Sequence, residues 1–134
     1  MGRYLPEAYE AAVARRLAAL RGPVTLTVSD RHPATRFGLE TCGLLDDLAQ
    51  LAPGAVRVLR QATQGPAPVV HLQAETGRVS PVVFWGTPSG HTWEGLLLAV
   101  EAADGRPPAI ADTEQALLSA LPRAVRADIF VAPT

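Results

Sequence analysis

The chain has 134 residues, 48% of them hydrophobic and 19% charged, the make-up of one globular domain with a core of its own. Twelve arginines and no lysine stand against 13 acidic residues for a net charge of −1, and the arginines are scattered. That balance excludes the basic field that draws nucleic acid or an anionic membrane.

The elements follow in chain order. Leu5, Tyr9, Val13, Leu17 and Leu20 recur at three- and four-residue steps, which predicts an amphipathic N-terminal helix stopped at Gly22-Pro23. Val24 to Val28 alternates β-branched residues and reads as a strand, followed by a loop from Ser29 to Pro33 that contains Asp30. A helix over about Thr35 to Leu51 presents Leu44, Leu45, Leu48 and Leu51, and Pro53-Gly54 ends it. Val56 to Gln61 is a second strand. Ala67-Pro68 leads into a third, Val69 to Leu72, and a turn at Glu75-Thr76-Gly77 joins it to a fourth, Val79 to Trp85, as an antiparallel hairpin. A third helix runs from about His91 to Ala103, with Trp93, Leu96, Leu97 and Val100 as its apolar stripe, and Gly105 caps it. Asp112 with Gln115 opens a short helix through Leu121, and Ala127 to Ala132 reads as a terminal strand. This order predicts an α/β fold with a mixed four-stranded sheet and helices on both faces, plus an N-terminal helix and a C-terminal strand.

No apolar run approaches the roughly 20 residues of a membrane-spanning helix, and Met1 to Pro6 lacks the apolar core of a signal peptide. The single cysteine, Cys42, forms no internal disulfide, which fits a reducing cytoplasm. Abundant Ala, Arg, Leu and Pro without lysine is a composition associated with GC-rich bacterial genomes.

The order of elements, with a proline directly before the third strand, resembles the thioredoxin/glutaredoxin fold. Ala67-Pro68-Val69-Val70-His71-Leu72 followed by Val83-Phe84-Trp85-Gly86-Thr87-Pro88-Ser89-Gly90-His91-Thr92-Trp93 is similar to the pattern of tandem thioredoxin-fold proteins. These are the N-terminal domain of the F component of alkyl hydroperoxide reductase and the protein disulfide oxidoreductases. The resemblance runs from the first helix to the last strand and is sharpest over Gly86 to Trp93. It implies a cis-proline loop at Ala67, Pro68 and Val69. It also implies a vestigial CxxC region at Thr35, Arg36, Phe37 and Gly38, where active relatives carry their dithiol and this chain has no cysteine. The helix that an ordinary thioredoxin unit places before the cis-proline loop has no room between Ala62 and Ala67. The shortened form resembles the first, cysteine-less half of the hydroperoxide reductase domain. Residues 1–121 are then a thioredoxin-like domain, and 122–134 a linker with the first strand of a second thioredoxin fold that lies beyond Thr134.

Cys42 is the one candidate nucleophile. A reactive cysteine belongs at a helix N-terminus, where the dipole and free N–H groups lower its pKa. Cys42 falls about two turns inside the second helix, a place for a small buried hydrophobe. His91 has no Cys, His or carboxylate cluster at ligand spacing, so no metal and no cofactor is expected. Glu40 and Asp46-Asp47 read as a solvated helix face. Gly86 to Gly90 lacks the Lys and the glycine spacing of a phosphate loop.

The resemblance implies a redox-inactive half-unit, a structural and interaction scaffold in a thiol-disulfide protein of cell redox homeostasis. Its implied partner is a second CxxC-bearing thioredoxin fold, or a peroxiredoxin or other disulfide protein. No dithiol oxidoreductase activity is expected from the chain alone. The alternatives are a disulfide oxidoreductase or peroxide-reducing system whose CxxC lies beyond Thr134, a monothiol enzyme using Cys42, and a free-standing module that binds protein through the cis-proline loop.

Overall fold

The computed structural model describes residues 4–90, 92–106 and 109–130. Eight elements follow one another: α1 (Glu7–Ala18), β1 (Val24–Asp30), α2 (Arg36–Leu51), β2 (Val56–Ala62), β3 (Val69–Gln73), β4 (Val79–Trp85), α3 (Thr92–Ala103) and α4 (Asp112–Ser119). The strands form one open sheet in the order β2-β1-β3-β4, with β1 parallel to β2 and antiparallel to β3, and β3 antiparallel to β4. The fold is therefore the mixed α/β sheet that the strand pattern predicts. The β3–β4 turn closes through Gly77, whose φ of 88° is open to glycine and costly for other residues.

The register assigns each strand residue to a face, because paired residues share one and successive residues alternate. Val24, Leu26 and Val28 of β1, Val70 and Leu72 of β3 and Val56 of β2 point one way and are almost wholly buried. They form one cluster with Val13 and Leu17 of α1, Leu45 and Leu48 of α2, and Leu96, Leu97 and Val100 of α3. On the opposite face the cross-strand rows are Leu59–Thr27–His71–Val83 and Gln61–Ser29–Val69–Trp85. Leu59 is 56% and Trp85 60% exposed, and His71 and Gln61 are exposed as well. Helices on both faces are thus not what forms: α1, α2 and α3 share one face, and among the described residues no helix covers the other. The physical reason is the short connection from Thr63 to Pro68, which turns the chain from β2 straight into β3.

Two further departures concern the C-terminal part. α4 begins at Asp112 with Ala111 as its N-cap and ends at Ser119, and Glu114 Oε2 accepts from the Ala111 N–H at 3.4 Å. The expected terminal strand is absent over its described part, Ala127 to Phe130, while Val131 to Thr134 lie outside the described residues, as does His91. Apolar, β-branched residues become a strand only when a neighbour takes their hydrogen bonds. Neither edge of the sheet pairs with this stretch, and Ile129 and Phe130 are 85% and 95% exposed.

α1 is fastened to α3 by charge. Arg16 Nε and Nη2 donate to the two oxygens of Glu101 at 2.9 and 3.0 Å, and Arg16 Nη1 donates to Glu94 Oε1 at 2.8 Å. Arg106 Nη1 adds a second cation on Glu101 Oε1 at 3.0 Å. Glu101 is 6% exposed, so its charge depends on these partners. The Arg16 hydrogen bonds hold its carboxyl below the usual carboxylate range, against the opposing effect of burial.

A group with a lowered pKa stabilises the fold fully above its unfolded value and loses that contribution as pH falls through its folded one. Glu101→Gln should therefore cost about 1–3 kcal/mol at pH 7. In urea unfolding followed from pH 7 to pH 3, the variant should approach the wild type as acid protonates Glu101, with the gap closing only below the ordinary carboxylate range.

Candidate functional site

The end of the sheet where β1 stops and α2 starts holds the residues that the sequence singles out. Asp30, expected in the loop, is the last residue of β1 and pairs with Ala62 of β2. Its carboxylate reaches over the next turn: Oδ2 accepts from the Thr35 backbone N–H at 3.0 Å, and Oδ1 accepts from Thr35 Oγ1 at 2.8 Å. Thr35 is the N-cap of α2, and its Oγ1 accepts from the Gly38 N–H at 3.0 Å, which satisfies one of the helix's orphan donors. Burial works against charge on Asp30. The Thr35 hydroxyl, the backbone N–H groups of Arg31 and Thr35 and the Arg31 guanidinium outweigh it and hold the carboxyl below its ordinary value.

A second set of contacts ties this helix start to the loop after β4. Thr41 Oγ1 lies 2.7 Å from the Phe37 carbonyl oxygen and 2.9 Å from Thr87 Oγ1, and Thr87 Oγ1 lies 3.2 Å from the same carbonyl. Two hydroxyl protons serve these three contacts. Thr41 is wholly buried. One residue back, the Gly86 N–H donates to the Pro68 carbonyl at 2.8 Å. The Ala67–Pro68 peptide is cis, Pro68 is buried, and Val69 pairs with Trp85. The Thr35–Gly38 turn and the Ala67–Val69 loop are thus joined through Gly86 and Thr87. The first carries no sulfur and makes an ordinary capped helix start. Phe37, Leu39 and Trp85, each about 60% exposed, are large apolar groups at this end.

Cys42 stands apart from that turn. It sits within α2, half-buried and packed against the edge of the core. It also borders a cleft of about 430 Å³ with Asp30, His32, Leu39, Asp46 and Arg60. Burial pushes its thiol pKa up; the Arg60 charge opposes this, while Asp46 and Asp30 add to it. A thiol so placed holds less thiolate at neutral pH than a free cysteine. Among the described residues no group of three or more His, Cys, Asp or Glu could hold a metal ion. Nor is any helix there long and apolar enough to cross a membrane.

Sequence reasoning missed Asp30, Thr41 and Thr87. Asp30 has one local signal, an acidic residue at a strand end five places before a Thr-x-x-Gly helix start. Thr87 has none, since its partners lie 46 and 50 positions away.

A mixed sheet in this order, a helix start directly after β1 and a cis-proline before β3 define a thioredoxin-like fold. Among solved structures, the chain resembles the NTD_N/C domain of alkylhydroperoxide reductase AhpF from Enterococcus faecalis, with a TM-score of 0.75 and 23% identity over 89% of this chain and 62% of that one. A second AhpF structure from the same organism, of a C503A mutant, gives a TM-score of 0.76 and 23% identity over 90% and 62%. A protein disulfide oxidoreductase from Aeropyrum pernix gives 0.66 and 14% identity over 87% of this chain and 55% of that one. At these identities the likeness establishes the fold, and the chain spans about three-fifths of the length of the AhpF structures. No family model matches the sequence, and neither does any curated protein.

Thr35→Ala should cost about 1 kcal/mol through loss of the cap, read as a fall in the urea midpoint with an unchanged slope. Alkylation of Cys42 by iodoacetamide at pH 7.5 should run slower than that of a free-cysteine peptide. Its rate should keep climbing with pH past the point where the peptide's has levelled off; an earlier plateau would mean a lowered thiol pKa.

Proposed function

We propose that this chain is a redox-inactive thioredoxin-fold unit that serves as a structural and interaction scaffold in a thiol-disulfide redox protein. The observation that carries this reading is the first turn of α2. There a hydrogen-bonded cap takes up the helix's positive end, and on this reading Thr35 and Gly38 take the places of a dithiol unit's two sulfurs. Dithiol exchange needs one thiolate to attack and a second to resolve the mixed disulfide. Neither is available at this turn, and Cys42 is further into the helix with its pKa raised.

The printed names of the structural neighbours, an alkylhydroperoxide reductase and a disulfide oxidoreductase, support a thiol-redox setting. Their greater length supports a partner in the form of a second thioredoxin fold that bears CxxC, with a peroxiredoxin or other disulfide protein as the substrate side. Apolar side chains after α3 support a docked partner as well: Leu117 is 72%, Leu118 57% and Leu121 49% exposed. The single cysteine and lysine-free composition fit a reducing bacterial cytoplasm.

The test is reduction of insulin by dithiothreitol, and of a DTNB-labelled disulfide, with the wild-type chain and Cys42→Ser side by side. Both should match buffer alone. Turnover that disappears with Cys42→Ser would establish the monothiol enzyme instead.

A further inference from the structure

If Thr35–Gly38 is an emptied dithiol turn, as the proposed function reads it, the simplest view is that two sulfurs were lost and nothing else changed. The surroundings of Gly38 contradict that view. A β-carbon at position 38 would lie 2.7 Å from Asp30 Oδ1, and closer still to Oδ2 and Cγ. Contacts this short oblige something to move, and the obstacle is a short side chain with one methylene of reach. Its carboxylate is fixed from three directions, by the Thr35 N–H, by Thr35 Oγ1 and by the backbone N–H of Arg31. Swinging it aside breaks those bonds and leaves the α2 start without its partner.

We propose that Asp30 holds this site closed to dithiol chemistry: its carboxylate fills the room that a side chain at position 38 requires, so restoring both cysteines does not restore the redox pair while Asp30 remains. Electrostatics acts in the same direction. A thiolate at position 35 would stand beside a negative carboxylate, which raises its pKa and withholds the attacking species. The helix N-terminus that would activate a thiol is already neutralised by Asp30.

The experiment is made in a Cys42→Ser background, which removes the native thiol. Thr35→Cys/Gly38→Cys is prepared with Asp30 intact and with Asp30→Ala, and both are equilibrated with oxidised and reduced glutathione. One introduced thiolate displaces glutathione from its disulfide, the other then displaces the second glutathione, and one protein S–S bond forms. Two electrons pass to glutathione disulfide, which leaves as two thiols carrying the two protons. Thiol titration and intact mass read the outcome. With Asp30→Ala the protein disulfide should be favoured at least tenfold more, by the glutathione ratio at half-oxidation, than with Asp30 intact. Equal ratios would overturn the proposal.

Stability gives a second test that needs no disulfide. Gly38→Ala should lower Tm by about 5 °C or more, from overpacking, and most of that drop should vanish in the Asp30→Ala background. Additive shifts would refute Asp30 as the obstacle. Thiol-disulfide turnover by the wild-type chain would instead refute the scaffold reading, so the two failures are told apart.

Discussion

The contact on which this end of the molecule depends is the grip of the Asp30 carboxylate on Thr35. A helix begins with unpaired N–H groups and a concentration of positive potential, and α2 is the longest helix described, at 16 residues. β1 ends on an anion that meets this potential, and the same anion orients the hydroxyl that caps Gly38. The chain therefore leaves the sheet and enters α2 in one fixed direction, which places Leu45 and Leu48 in the core with Val24, Leu26 and Val28 of β1 and Val56 of β2. In a thiol enzyme the same potential would stabilise a thiolate. Here it stabilises a structural carboxylate, and the electrostatic resource that such chemistry draws on is already committed.

The remaining contacts extend that fixed point across the sheet. Thr41 and Thr87 share the Phe37 carbonyl, and Gly86 reaches Pro68, so α2, the loop after β4 and the loop before β3 form one connected frame. The sheet behind it is covered on one side only. Its bare side is mixed: Thr25, Thr27, Ser29, Gln61, His71 and Gln73 share it with the apolar Leu59, Val69, Val79, Val83 and Trp85. Apolar exposure continues on α4 and the stretch after it, where no side chain of the helix is buried.

Much of this is legible in the residues. Period-two and period-3.6 patterns locate four strands and four helices, since Val24-Leu26-Val28 and Leu44-Leu45-Leu48 carry the pattern of the surface they bury. What escapes needs information from outside the segment. Ala127 to Phe130 has the composition of a strand and lacks a ladder to join. The expectation of a second helical layer comes from fold class, although the short span after β2 removes the helix that would supply it. Asp30 reads as a loop residue because its partners, the N–H groups of the next turn, exist as a set only once the chain has turned.

Gly38 shows how the two kinds of reading differ. On the proposed reading of the sequence it takes the place of a cysteine. In the structure it is a glycine that is required, in the first turn of a helix, an element that glycine weakens by roughly 0.5–1 kcal/mol relative to alanine when it stands in the interior. A helix that tolerates such a residue in its first turn has a local reason for it, and here the reason is the carboxylate against its α-carbon. Asp30 and Gly38 make one unit: the glycine leaves the space, and the aspartate uses it to bind the helix start. Each is unfavourable without the other, since Asp30 with a larger residue at 38 loses its bonds, and Gly38 without Asp30 leaves a void beside a weakened helix turn. The turn is therefore held by an interaction of its own, and that interaction accounts for the glycine without reference to any other chemistry.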